Sequence, residues 1–386
     1  MSALTDGTLL MTQPTWLTLA TALLMFPQIA ETLYSPALVD IGQGFGVTPA
    51  QAGQTLSLYF AAFAVGVLVW GRLCDLWGRR PALLAGLLLY SLASLAALLV
   101  TNFTGLLGAR VVAAFAAAVG SVVTQTALRD VHGGAQLARV FSLIGIFLAI
   151  SPAIGVLSGS LLTEAFGYRG VLTAQLLMAL ALLLWSWQLM PETRPQSPNH
   201  ASLISTLRRM LGDRRVLLAT LLVALFNIGV FSWYSLAPFI FQRLQLQSLF
   251  GYSGVLLALG SLLGARLNAR LLARGVSQAT LLNLACAVNL LAALAILLLG
   301  EHWLIAVAMA FMLGAFAMAI PLLLGSALVE YGDCRGTAGA LFGLMYYGLI
   351  GAGLNLAGEW QALGVTLVWC AALISITAWG YGRRSL

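Results

Sequence analysis

Two ionisable side chains, Glu31 and Arg110, fall inside long apolar runs. A charge at membrane depth is costly, and where it is kept it usually marks a proton or ion path. Glu31 stands seven residues before Leu38 and Arg110 six after Thr104. At ~1.5 Å per helical residue, these positions lie roughly 10 Å and 9 Å below the same face of the membrane. A carboxyl group at that depth can take up and release a proton, because desolvation favours its neutral form and a nearby cation its charged form. We read Glu31 as the coupling acid and Arg110 as its electrostatic partner. The competing reading is that both side chains snorkel to the nearby interface.

The remaining reactive residue types form no constellation. His132, His200 and His302 are dispersed, and Cys74, Cys286, Cys334 and Cys370 lack the spacing of a ligand set. Neither a metal site nor a disulfide framework is implied. No Gly-x-x-x-x-Gly-Lys-Ser/Thr phosphate loop occurs, which disfavours an ATP-driven pump. The proton is the coupling ion expected, and no cofactor is. An integral membrane enzyme would need His, Asp or Cys clustered at depth. A passive channel would need a repeated selectivity loop or a charged ring.

The elements that would position these residues follow from composition. Of 386 residues, 61% are hydrophobic and 8% charged, against roughly 25% charged in soluble domains. Lipid can face such a surface if every backbone group is satisfied inside a helix. The apolar runs are long and unbroken, which favours helices over the short alternating strands of a barrel. Residues 1–14 are polar, include Asp6 and lack Arg and Lys, so they do not read as a cleaved signal. With about 20 residues needed per span, twelve are expected near 16–36, 53–73, 81–101, 105–127, 139–162, 170–190, 216–240, 248–270, 279–299, 303–327, 337–357 and 361–381.

Basic residues mark the cytoplasmic side. All nineteen are arginine. With the N-terminus inside, only Arg169 and Arg243 face out, Arg110 lies within a span, and the rest fall on the cytoplasmic side. The net charge of +7 is therefore assigned to topology, and no nucleic-acid partner is expected. Both termini are read as cytoplasmic. A polar stretch after span 6, with Pro191, Pro195 and Pro198, divides the chain. Residues 1–192 read as an N-terminal six-helix bundle, 193–213 as a cytoplasmic linker and 214–386 as a C-terminal six-helix bundle. Gly71-Arg-Leu-Cys-Asp75-Leu-Trp-Gly78-Arg79-Arg80 after span 2 is echoed by Gly264-Ala-Arg266-Leu-Asn-Ala-Arg270 after span 8. Such a parallel repeat places a substrate site between the halves near the bilayer midplane.

The segment from Gly71 to Arg80 resembles the loop 2–3 signature of the major facilitator superfamily. Gln28-Ile-Ala-Glu31-Thr-Leu-Tyr34-Ser-Pro36, Arg129-Asp130, Met190-Pro-Glu-Thr-Arg-Pro195 and Arg335-Gly-Thr-Ala-Gly resemble its drug:proton antiporter branch, with its EmrD-like and Bcr/CflA-like transporters. The likeness runs from about residue 25 to 380. It implies an all-α membrane protein with twelve transmembrane helices in two pseudo-symmetric bundles. It also implies a cytoplasmic gate of Gly71, Asp75, Gly78, Arg79, Arg80, Arg129 and Asp130 that latches the halves in the outward-open state. The plainer reading of that cluster is a topology signal with a tight turn. Ser151-Pro152-Ala-Ile-Gly155, with Gly159, resembles the family's antiporter motif, with Ser151 and Val156 in place of two glycines. A structural kink would give the same pattern. Arg110 fits the family's span 4 arginine, while Ala113, Ala114 and Ala116 depart from the pattern. The family acid falls four residues before the proline, at Thr32, and Glu31 stands one position away.

Aromatic and amide side chains on the expected pore-facing spans complete the reading. The cavity candidates are Gln28, Tyr34, Tyr59, Gln125, Asn227, Phe231, Trp233, Tyr234, Phe311, Met318, Tyr346 and Asn355. A mostly apolar cavity with a few polar groups suits lipophilic small molecules. The function expected is proton-coupled antiport that exports such compounds from the cytoplasm, across a bacterial inner membrane, by a monomer surrounded by lipid. A dedicated exporter of one metabolite (a nucleoside, amino-acid derivative, sugar or siderophore) is the alternative.

Overall fold

The computed structural model describes residues 14–194, 202–332 and 334–382. Of the positions singled out above, Asp6 and, in the linker, Pro195, Pro198 and His200 lie outside the described residues, as do Arg383 and Arg384, two of the arginines assigned to the cytoplasmic side. The helices are α1 (Pro14–Tyr34), α2 (Leu38–Phe45), α3 (Pro49–Trp77), α4 (Arg79–Leu99), α5 (Phe103–Val131), α6 (Gly134–Leu189), α7 (Leu203–Gly212), α8 (Arg214–Arg243), α9 (Gln247–Ala273), α10 (Gln278–Leu299), α11 (Ile305–Ala327), α12 (Arg335–Trp360) and α13 (Leu363–Gly382).

Eleven segments among the described residues are long and apolar enough to cross a membrane. One of them, Arg139–Leu189, has 51 residues, or about 77 Å at the helical rise, against a hydrocarbon core of ~30 Å. It breaks at Gly167, whose φ of 65° and ψ of −170° are not helical. Its two arms supply two passes, so the described residues make twelve. Span 1 runs on past its expected end, through a 3₁₀ turn at Ser35–Ala37 into α2. Pro36 has no N–H to give to the helix, which is where the α-helical ladder changes register.

Packing divides the helices into two sets. α1, α3, α4, α5 and α6 pack on one another, as do α8 to α13, and the sets meet along two main seams, α3 against α12 and the first arm of α6 against α9. A shift of six spans exchanges one seam for the other, which is the pseudo-twofold expected of the repeat. Small residues make both seams close. A Cβ on Gly351 would stand 2.9 Å from Ser57 O, and one on Gly254 3.1 Å from Val156.

At one end the halves are also tied by a hydrogen bond. Pro238 in α8 cannot donate to Tyr234 O, and the Ser35 hydroxyl of the other half donates to that carbonyl instead. Leu38, Ile41 and Ala52 bury Phe239 at the same end, so it is sealed. Replacing Ser35 with Ala leaves Tyr234 O without its donor, at a cost of about 1–3 kcal/mol to this closed arrangement. Labelling of a cysteine placed at buried Ala52 by an impermeant maleimide is expected to rise roughly 5- to 150-fold in that background; an unchanged rate would show that the bond does not hold the end shut.

At the arginine-rich end, the linker helix α7 lies against α8 and α12. The Arg209 guanidinium sits 4.5 Å over the Tyr331 ring, and Tyr331 donates to Asp213 Oδ2 at 3.1 Å. Asp213 also caps α8 by accepting from the Arg215 and Val216 amides. Burial, with the Asp213 carboxylate beside it, pushes the Tyr331 phenol up to about 12. A phenol raised above its ordinary 10 contributes its stability below that pH and loses it as the pH climbs through 12. At neutral pH Tyr331→Phe therefore removes an intact bond to a carboxylate, and a loss of about 1.5–3 kcal/mol is expected, read as a lower thermal midpoint in detergent.

Candidate functional site

A cavity of about 460 Å³ lies between the halves, walled by α1, α3 and α6 on one side and by α8, α9, α11 and α12 on the other. Its lining is mostly apolar and aromatic. Phe60 of α3 meets Phe231 of α8 across the seam at 4.4 Å between ring centres, and the Tyr346 and Tyr347 rings lie 4.3 Å apart, tilted at 44°. Glu31 is the one charged side chain in the wall. It is 4% exposed, and its Oε1 has no hydrogen-bond partner. The snorkelling reading of Glu31 is therefore not what the structure shows. Gln28 and Thr32 line the same wall, so both acid-position candidates, 31 and 32, reach the cavity.

Arg110 is 1% exposed and stands behind this wall. Its guanidinium packs 3.8 Å over the Tyr34 ring and 4.9 Å over Tyr59. Nη1 donates to Gln175 Oε1 at 3.4 Å, while Nε and Nη2 are buried without partners. No ion pair joins it to Glu31 among the described residues; its charge reaches Glu31 through space. The two expected partners are thus not in contact in this conformation.

The proline of α6 bears on the same wall. Pro152 lacks the N–H that would bond Leu148 O, and the Ser151 hydroxyl reaches that carbonyl at 2.8 Å. Ser151 also lies 2.5 Å from the Gln28 amide of α1. Serine in place of the motif's glycine thus repairs the kink and links it to the cavity wall. A Cβ on Gly155 would run into Thr32 Oγ1, and one on Gly159 into Leu33 O. These glycines let α6 lie directly on α1.

A second cavity of about 440 Å³ shares Leu324, Tyr346 and Tyr347 with the first and continues to the arginine-rich end, past exposed Arg72 and Arg129. The central cavity therefore communicates with that end, with the opposite end sealed. Gln125 belongs to this outer compartment and accepts from Arg129 Nη2 at 3.4 Å.

Beside it stands the charge cluster. Arg79 is 4% exposed; it donates from Nη1 to Asp75 Oδ1 at 2.9 Å and from Nε to Asp130 Oδ2 at 2.8 Å. Glu192 caps α4, accepting from the Arg79 and Arg80 amides at 2.8 and 3.2 Å. Gly78 has φ of 107°, and a Cβ there would occupy the place of the Glu192 carboxylate. Only glycine fits both demands. Arg80 reaches Trp187 O at 2.7 Å. In this conformation the cluster binds α3, α4, α5 and the end of α6 together within the first half. Gly71 of this cluster faces Ala340 of α12 in the second half.

Of the cavity candidates, Gln28, Tyr59, Asn227, Phe231, Tyr234 and Tyr346 line the central cavity. Five others do not line either cavity. Tyr34 lies under Arg110. Trp233 is fully buried among Phe241 and Phe250, because one residue along a helix turns it about 100° from Tyr234. Phe311 is 61% exposed on the outer face of α11, whose inner face is set by Leu313, Phe316 and Ile320. Met318 packs in the core of the second half. Asn355 donates along its own helix to Glu359. Sequence reasoning missed Phe60, Phe63, Tyr347, Gln175 and the capping role of Glu192. Gln175 did carry a signal, as a lone amide among the apolar residues 174–184.

A family model of the Major Facilitator Superfamily matches residues 18–354. The chain belongs to that superfamily and is a multi-pass membrane transporter. It is 31% identical over 359 residues to an uncharacterized transporter of Rickettsia bellii, covering 88% of each chain. A bicyclomycin resistance protein homolog of Haemophilus influenzae is 24% identical over 330 residues, covering 83% of this chain and 82% of that one. In fold it is similar to the xylose transporter XylE from E. coli in a partially occluded inward open conformation. That likeness has a TM-score of 0.74 at 11% identity and covers 100% of this chain and 98% of that one.

Proposed function

We propose that this superfamily member is a proton-coupled antiporter that exports small, mostly lipophilic organic compounds by alternating access. The observation that carries the reading is Glu31, an unpartnered carboxyl group in the wall of an aromatic cavity between two bundles. A carboxylate held in such surroundings must be neutralised, and either a proton or the cargo's polar group can do it. Cargo and proton then compete for one site, which is the condition for exchange. The resistance named in the Haemophilus influenzae relative supports a cargo of drug-like compounds.

The arginine-rich end is placed in the cytoplasm of a cell with an inner membrane, with both termini on that side. The open path past Arg72 and Arg129 is then the route by which cargo is loaded. The cavity binds it, the cytoplasmic end closes, and the seal of Ser35 and Tyr234 O opens to the outside. A proton taken up there by Glu31 returns inward with the empty carrier, which works as a monomer without a cofactor. Expression in a host stripped of its own efflux pumps, scored against a broad compound panel, tests this. Raised tolerance to several lipophilic compounds is expected. A panel answered by one metabolite alone would replace multidrug export by a dedicated exporter.

A further inference from the structure

Gln175 belongs to the second arm of α6, which contributes nothing to the cavity wall, yet its amide is 1% exposed and used at both ends. Its Nε2 donates to Ala30 O of α1 at 2.5 Å, and its Oε1 accepts from Arg110 Nη1 of α5 at 3.4 Å. The neighbours fix the orientation of the amide, because a carbonyl can only accept and a guanidinium can only donate. Ala30 directly precedes Glu31. One side chain therefore ties the buried Arg110 guanidinium to the backbone that carries Glu31.

Two further observations bear on what this tie does. Arg110 keeps Nε and Nη2 without partners, and Glu31 keeps Oε1 without one. A buried guanidinium and a buried carboxyl group with spare donors and a spare acceptor would gain by closing on each other. The Tyr34 and Tyr59 rings lie against the guanidinium, and the hydrogen bond that Arg110 donates to Gln175 Oε1 draws it toward the second arm of α6. We propose that Gln175 is a positioning residue that holds Arg110 at a fixed distance from Glu31, and so sets how readily Glu31 gives up its proton. The inference rests on the proton-coupling reading above. It assigns the tuning of that site to a helix outside the cavity.

The groups around Glu31 allow the direction to be worked out. Arg110 of α5 is the charged group beside it; the phenols of Tyr59 of α3, Tyr234 of α8 and Tyr347 of α12 share its cavity, and Tyr34 of α1 and Tyr90 of α4 lie against Arg110. α6 meets α1 here with Ser151, Gly155 and Gln175, none of which titrates. A phenol ordinarily gives up its proton only near pH 10, which leaves Arg110 as the charge that tunes the acid. Without the amide, Arg110 is free to approach the carboxylate, and Glu31 holds its proton less tightly. With a carboxylate in place of the amide, the Arg110 charge is satisfied away from Glu31, and the proton is held more tightly.

Infrared titration of the purified full chain in lipid nanodiscs reads this directly. The protonated Glu31 band is identified by its loss in Glu31→Gln, so no cargo is needed. In Gln175→Met the midpoint is expected about one unit lower, a roughly tenfold weaker hold on the proton. In Gln175→Glu it is expected about one unit higher. A merely structural role would lower the yield of both variants without moving the midpoint in opposite directions. Any other pattern overturns the proposal, including midpoints within about 0.3 unit of the parent, shifts of one sign, or no titration between about pH 4 and 10. Failure of the coupling reading would look different, as a Glu31 band that titrates normally while Glu31→Gln leaves proton-driven transport intact.

Discussion

Glu31→Gln is expected to uncouple the carrier while leaving it able to exchange cargo. One proton moving down 100 mV supplies roughly 2.3 kcal/mol, enough to hold a neutral cargo at a roughly 50-fold concentration ratio. In proteoliposomes the parent protein should approach such a ratio, and Glu31→Gln should level off near one. The amide has nearly the shape of the acid and keeps the wall polar, so exchange of labelled for unlabelled cargo without a gradient should continue. Full accumulation by Glu31→Gln would remove Glu31 from the mechanism. Loss of exchange as well would mean that the variant has damaged the cavity and not the coupling.

Arg79→Ala is expected to have the largest effect on stability. Arg79 is buried and holds two carboxylates, of which Asp130 is 13% exposed and Asp75 37%. Its removal leaves Asp130 with Thr193 as its remaining hydrogen-bond donor. Breaking a buried pair by deleting one member costs about 3–5 kcal/mol, and a drop in thermal midpoint on the order of 10 °C should follow. Arg194→Ala at the same end removes an exposed bond to Leu76 O and should cost about 1 kcal/mol or less. Equal melting of the two variants would mean that burial of Arg79 does not matter to the first half.

The same contrast explains what the sequence could reveal. Glu31 stood out because a carboxyl group in an apolar run has few places to go, and the cavity was one of them. Gly78, Arg79 and Asp130 stood out through their likeness to a family signature, and the structure supplies the physical ground, a turn that only glycine fits and an arginine buried between two carboxylates. The twelve passes were readable because span length is set by the bilayer, and the stretch that folds as one 51-residue run was already read as two spans for that reason. The cavity wall was harder to read. Helices that are apolar all round carry no stripe to say which face looks inward. Tyr234 and Trp233 were therefore indistinguishable, as were Phe311 and Phe316, although a turn of about 100° separates wall from core. The seal at Ser35 was hidden for a different reason. Its acceptor is a backbone carbonyl, and only Pro238, which frees that carbonyl, hints at it.

The central claim is that a proton moves in one direction as cargo moves in the other. It is tested most directly with purified protein in proteoliposomes holding a pH-sensitive dye, with the most effective compound from the resistance panel imposed as a gradient from one side. Cargo entering the vesicles should drive protons out and raise the internal pH, and the change should vanish in Glu31→Gln. Cargo that moves at the same rate with no change in internal pH would contradict the account.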